Sequence, residues 1–102
     1  MGLLAIQKLG ANRDCPRLWI ESQRLDALGF LPGTPLAIEG AGQQLIIKPA
    51  ILGNNHVSSR STPDGRRPII DLENESLLSG LAQFSEVKII ASYERIQVTP
   101  VS

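Results

Sequence analysis

The chain has 102 residues, ten basic and ten acidic, with 42% apolar content, one cysteine and one histidine. That is the size of one ordinary domain, and a single cysteine excludes an intramolecular disulfide. Balanced charge removes the simplest case for nucleic-acid binding, a strongly basic domain, and no apolar run has the length to span a bilayer.

Only Trp19, Phe30, Phe84 and Tyr93 are aromatic, so the core must be built from Leu, Ile and Val, which suits a small β-rich fold. The opening MGLLAIQKLG lacks the basic start and cleavage site of a secretory signal. Gly2 is followed by Ile6 where a myristoylation motif asks for Ser or Thr. With the lone cysteine, these features set the expectation of a cytoplasmic protein without membrane contact.

Leu3, Leu4 and Ile6 read as a short strand ended by Gly10, Asn12 and Asp14. Leu18 and Ile20 then alternate with Arg17, Trp19 and Glu21, the period of a strand with one apolar face. Ser22 is a helix N-cap residue. Leu25 and Leu28 share a helical face, and Gly29 stands where a left-handed residue ends a helix. Leu31-Pro32-Gly33-Thr34 is a Pro-Gly turn. Leu36 and Ile38, with Leu45 and Ile47, make a hairpin around Gly40-Ala41-Gly42. Segment 51–67 is a polar connector in which His56-Val57-Ser58 answers the first strand and STPDG is a loop tip. Ile70 and Leu72 form the next strand, capped at Asn74. Leu77, Leu78 and Leu81 form a helix stripe, and Val87 and Ile89 pair with Ile96 and Val98 around Ser92-Tyr93.

The second half repeats the first. Leu36, Ile38, Leu45, Ile47 and Pro49 fall on Val87, Ile89, Ile96, Val98 and Pro100 at one constant spacing. Leu18, Ile20, Ser22 and Leu25 fall on Ile70, Leu72, Asn74 and Leu77 at a spacing one residue longer. The expected organisation is one domain over 1–102, with repeat one at 3–49 and repeat two at 55–100. Each half alone is near the size at which a chain fails to bury enough surface, so the two share one core.

The pattern Leu18-x-Ile20-x-Ser22-x-Arg24-Leu25-x-x-Leu28-Gly29-Phe30-x-x-Gly33-x-x-Leu36-x-Ile38, followed by Leu45-Ile46-Ile47, resembles the SpoVT/AbrB-like superfamily and, within it, the SymE-type branch. The resemblance implies a mainly β fold with a minor α+β character. It would be a pseudo-twofold, swapped-hairpin AbrB-like barrel built from two β-α-β-β repeats with short helices. It also implies double-stranded DNA as partner and a role as transcriptional regulator or antitoxin, with pairing to a second chain open. The SymE branch implies the alternative of a toxin acting on RNA.

Five arginines in non-helical segments are the candidate contacts: Arg13 and Arg17 ahead of the first repeat, and Arg60, Arg66 and Arg67 ahead of the second. Guanidinium groups on one rim can hold phosphates and reach guanine edges in the major groove. The bland alternative is that they solubilise loops. Trp19 faces away from the apolar side of its strand and is a candidate interface residue, covered by a neighbouring strand such as Leu3–Ile6 or stacked on a base. A protein-interaction module using Trp19 and the acidic second half is the third reading.

No enzyme is expected. Cys15 and His56 lack an orienting third group, and Asp14 disfavours a thiolate. One Cys and one His do not make a zinc site, so neither metal nor cofactor is expected. Asp71, Glu73 and Glu75 alternate as a solvated face or a cation-collecting one. Gly40-Ala41-Gly42 joins strands and is no phosphate loop.

Overall fold

The computed structural model describes residues 2–12, 15–41, 43–73, 75–84 and 86–101, with the side chains at 11–12, 41 and 75–77 left aside. Arg13, Asp14, Gly42 and Asn74 lie outside the described residues. The fold is mainly β, as expected. In chain order it runs β1 (Gly2–Gln7), β2 (Gly10–Asn12), β3 (Cys15–Glu21), α1 (Arg24–Ala27), β4 (Pro35–Ala41) and β5 (Gln44–Pro49). The second half follows as β6 (Asn55–His56), β7 (Ser58–Thr62), β8 (Gly65–Glu73), α2 (Glu75–Ala82), β9 (Glu86–Ser92) and β10 (Arg95–Val101). These strands divide between two antiparallel sheets, ordered β1-β9-β10-β5-β4-β6 and β2-β3-β8-β7, and no closed barrel is found among the described residues.

The pairing registers carry the duplication into three dimensions. In the four-stranded sheet Trp19 pairs with Asp71, its own repeat counterpart, with Leu18 opposite Leu72 and Ile20 opposite Ile70. In the six-stranded sheet Ile46 pairs with Gln97, again its counterpart, flanked by Leu45–Val98 and Ile47–Ile96. Each repeat thus meets its own equivalent residue at the middle of both sheets, the pairing produced by an approximate twofold axis that pierces them.

The repeat also reaches further back than the apolar pattern suggests. Gly10 pairs with Arg17 in the β2–β3 hairpin as Ser58 pairs with Ile69 in β7–β8, and Leu9 and Val57, just before these pairs, both pack into the core. The segment 51–67, expected to be a polar connector, therefore carries β6, β7 and the start of β8. Its strands are polar because they form an edge and a projecting hairpin, where neither face reaches the core. The two hairpins differ in length. β2–β3 ends at the Asn12–Cys15 pair, whereas β7–β8 passes the equivalent Arg60–Arg67 pair and adds Ser61–Arg66 and Thr62–Gly65.

Between the sheets lies one core. Leu18, Ile20, Ile70 and Leu72 enter from one side, Leu45, Ile47, Val87, Ile89, Ile96 and Val98 from the other, and Leu25, Phe30, Leu78 and Leu81 fill the space between. Burying each such side chain contributes about 1.5–3 kcal/mol. α1 is short because both its ends are fixed locally. Ser22 Oγ accepts the Arg24 N–H at 3.1 Å. At the other end Phe30 N–H reaches the Leu25 carbonyl and Gly29 N–H reaches Asp26, a Schellman closure with Gly29 at φ 89. The Thr34 N–H bonds the Leu31 carbonyl across Pro32 and Gly33, and Gly33 takes φ 88 as the turn requires.

Two hairpin tips lie beyond their expected positions. β4 runs through Ala41, which pairs with Gln44, so its turn follows Ala41. Ser92 pairs with Arg95, which puts Tyr93 and Glu94 in the second turn, with Glu94 at φ 56.

Candidate nucleic-acid interface

Alternation along β3 and β8 puts Arg17, Glu21, Arg67, Asp71 and Glu73 on the outer face of the four-stranded sheet. β3 contributes Arg17, Trp19 and Glu21, and the pairing register sets Glu73 opposite Arg17, Asp71 opposite Trp19 and Ile69 opposite Glu21. Further along the ribbon, Arg60 on β7 faces Arg67 on β8.

Two ion-pair groups result. At one end Arg17 donates Nε to Asp71 Oδ1 at 2.9 Å and Nη2 to Oδ2 at 3.0 Å, a bidentate pair, while Glu73 lies 3.6 Å from Nε. The hydrogen bond to Asp71 raises the Arg17 pKa further above its ordinary value, opposed by partial burial and aided by the charges of Asp71 and Glu73. The same guanidinium lies 4.7 Å from the centroid of the Trp19 ring.

At the other end one carboxylate serves three donors. Glu21 Oε2 takes Arg60 Nε at 2.6 Å and Arg67 Nη1 at 3.2 Å, and Oε1 takes Trp19 Nε1 at 3.2 Å. Its side chain is only 15% exposed. That partial burial opposes ionisation, but the Trp19 hydrogen bond and the two arginines outweigh it and hold the carboxyl below its ordinary value.

Of the five arginines expected to act together, Arg17 stands apart from the ribbon in its own carboxylate pair, and Arg13 lies outside the described residues. Arg60, Arg66 and Arg67 share the β7–β8 ribbon. Arg60 and Arg67 lie on its outer face, and Arg66 points to the opposite face, where its Nε donates to Ser59 Oγ at 2.8 Å. The ribbon is thus basic on both faces, and Glu21 neutralises one charge of the outer pair. Arg60 keeps 59% of its side chain exposed.

Trp19 is half exposed on the outer face, as its position in the strand requires. The expected cover from Leu3–Ile6 is not there, because β1 belongs to the other sheet and pairs with β9. The Trp19 ring is held instead by Arg17 above it and Glu21 at its indole N–H.

Glu21, Asp71 and Glu73 are the residues that sequence reasoning left out of the site. Their alternation marked the outer face, but only the β3–β8 register shows which arginine each one meets. Cys15 lies in the four-stranded sheet and His56 on the edge strand of the six-stranded one. Among the described residues no three His, Cys, Asp or Glu side chains gather into a ligand set, and no helix is long and apolar enough to cross a membrane. Compared with known proteins, the chain matches no family profile, no curated protein and no solved structure.

Proposed function

We propose that the protein binds double-stranded DNA through the β7–β8 ribbon and acts as a transcriptional regulator without catalysis. The observation that carries this reading is the asymmetry of the two hairpins. The ribbon is two residue pairs longer than its counterpart, and it carries Arg60, Arg66 and Arg67. A two-stranded antiparallel ribbon has the width of the major groove, and arginines on both of its faces meet both groove walls. In this reading Arg17 is a structural group, because Asp71 and Glu73 occupy its guanidinium. The registers through Trp19–Asp71 and Ile46–Gln97 support the resemblance to two interleaved SymE- or AbrB-like units.

The test is a salt titration of binding to duplex fragments from the protein's own locus. About three phosphate or base contacts give a log–log slope of roughly −3. Replacing Arg60, Arg66 and Arg67 by Ala together flattens the slope, and Arg17→Ala leaves it in place. No duplex shift at low salt overturns the reading, and preferential binding of single-stranded RNA replaces DNA by RNA.

A further inference from the structure

The approximate twofold exposes a missing strand. β9 is flanked by β10 on one side and by β1 on the other, with Gln7 opposite Val87, Ala5 opposite Ile89 and Gly2 opposite Ala91. Its counterpart β4 is flanked by β5 along its whole length, but on its other side β6 covers only Pro35 and Leu36. Among the described residues nothing pairs with this second side of β4 from Ala37 onward.

Ala41 closes the β4–β5 hairpin with Gln44. Ala41, Glu39 and Ala37 therefore bond towards β5, and the N–H and C=O groups of Ile38 and Gly40 point to the open side. The core records the same gap. Ile89 is fully buried, whereas its equivalent Ile38 is only partly buried.

A groove of about 520 Å³ runs along this open edge, lined by Ala37, Ile38, Leu52, Asn54 and Asn55 among others, none of them charged. Leu52 is 93% exposed at its rim. An extended segment laid here would continue the six-stranded sheet, satisfy the outward N–H and C=O groups of Ile38 and Gly40 and cover Ile38 and Leu52.

We propose that β4 is a strand-addition site for an extended segment of another protein, with an apolar residue on Ile38 and a basic residue opposite Glu39. The apolar requirement follows from β1, which puts Ala5 opposite Ile89 at the equivalent position. The basic one follows from Glu39, which replaces the apolar Ile90 of the second half and points outward at 59% exposure in an ion pair with Lys48 at 3.0 Å, so a basic residue opposite it extends that pair onto the added strand. A second copy fits less well. Joining two β4 edges around Glu39 sets Glu39 opposite its own copy, and like charges directly opposed are destabilising. On β1, the other edge strand of the sheet, the Arg24 guanidinium reaches the Leu3 carbonyl at 3.5 Å. This site is separate from the arginine ribbon and stands whether or not the ribbon binds DNA.

The probe is a blocked pentapeptide with the β1 sequence Gly2–Ile6 carrying Leu3→Lys, which ends short of β6, titrated into the full ¹⁵N-labelled chain. The expected result is amide shifts at Ile38 and Gly40, with hydrogen exchange there slowed at least about ten-fold at saturation, and no response to the scrambled peptide. Gly40→Pro removes one outward N–H and abolishes the effect. Should that variant not fold, Ile38→Ala weakens binding through the lost apolar contact. No shift, shifts elsewhere, or equal binding of the scrambled peptide overturns the proposal. A concentration-dependent dimer with those two amides protected in the absence of peptide also overturns it, by assigning the edge to a second copy.

Discussion

Strands β4 and β9 occupy the same place in the two repeats and share an apolar skeleton, yet their surroundings differ. β9 lies inside the sheet, between β1 and β10, while most of β4 has a neighbour only in β5. The cause is connection length. The chain passes from Pro49 at the end of β5 to Asn55 through a short turn, too few residues to run back along β4 as β1 runs along β9. Equivalent sequence can therefore close a sheet in one half and leave it open in the other, and the core at Ile89 and Ile38 feels the difference.

The largest expected effect tests that difference directly. Ile89→Ala leaves a cavity in a fully packed site and should cost about 2–5 kcal/mol in urea denaturation. Ile38→Ala, at the equivalent but partly open position, should cost about 1 kcal/mol. Equal losses would show that β4 is as well covered as β9 and would remove the basis for a missing strand.

Gly53→Ala comes next. Gly53 lies in the short turn where the chain crosses β4, and a Cβ there would stand 2.2 Å from the Leu36 carbonyl oxygen and 2.5 Å from its carbon. Backbone cannot yield as a side chain does, so the turn must lift, at an expected cost of about 1–3 kcal/mol. A neutral result would show that this crossing is loose and that the turn does not fix where β6 leaves β4.

Much of this fold is legible in the sequence because its core follows period-two alternation and recurs. Leu18, Ile20, Leu36, Leu45 and Ile47 and their counterparts all lie in the core. Gly29 and Gly33 mark the helix end and the turn because only their positive φ permits those geometries. Segment 51–67 is legible only around His56–Ser58 and at the STPDG tip, for the opposite reason. β6 and the ribbon bury few side chains, so no apolar period announces them, and Val57 is the one buried residue within 51–67. The site was half legible. Alternation assigns Arg17, Trp19 and Glu21 to an outer face, but ion pairs across strands depend on register, and register follows from the fold as a whole.

The smallest expected effect compares Glu21 with its repeat counterpart Glu73. Glu21 is 15% exposed and receives Trp19, Arg60 and Arg67. Glu73 is 40% exposed and stands 3.6 Å from Arg17. The folded state lowers the Glu21 pKa, so its stabilising contribution is fully present above the ordinary carboxylate value and is lost as pH falls through the lowered one. Stability measured by urea midpoint should therefore fall on acidification across that window. Glu21→Gln should flatten the fall by removing the proton-linked group, and at neutral pH Glu73→Gln should lower the urea midpoint less than Glu21→Gln does. The same exchange bears on the arginine ribbon. Losing the Glu21 charge leaves Arg60 and Arg67 facing each other without a counter-charge, so a DNA-binding ribbon gains affinity in Glu21→Gln even as the fold becomes less stable at neutral pH. A variant that loses stability and gains no affinity would mean that Arg60 and Arg67 serve only the sheet.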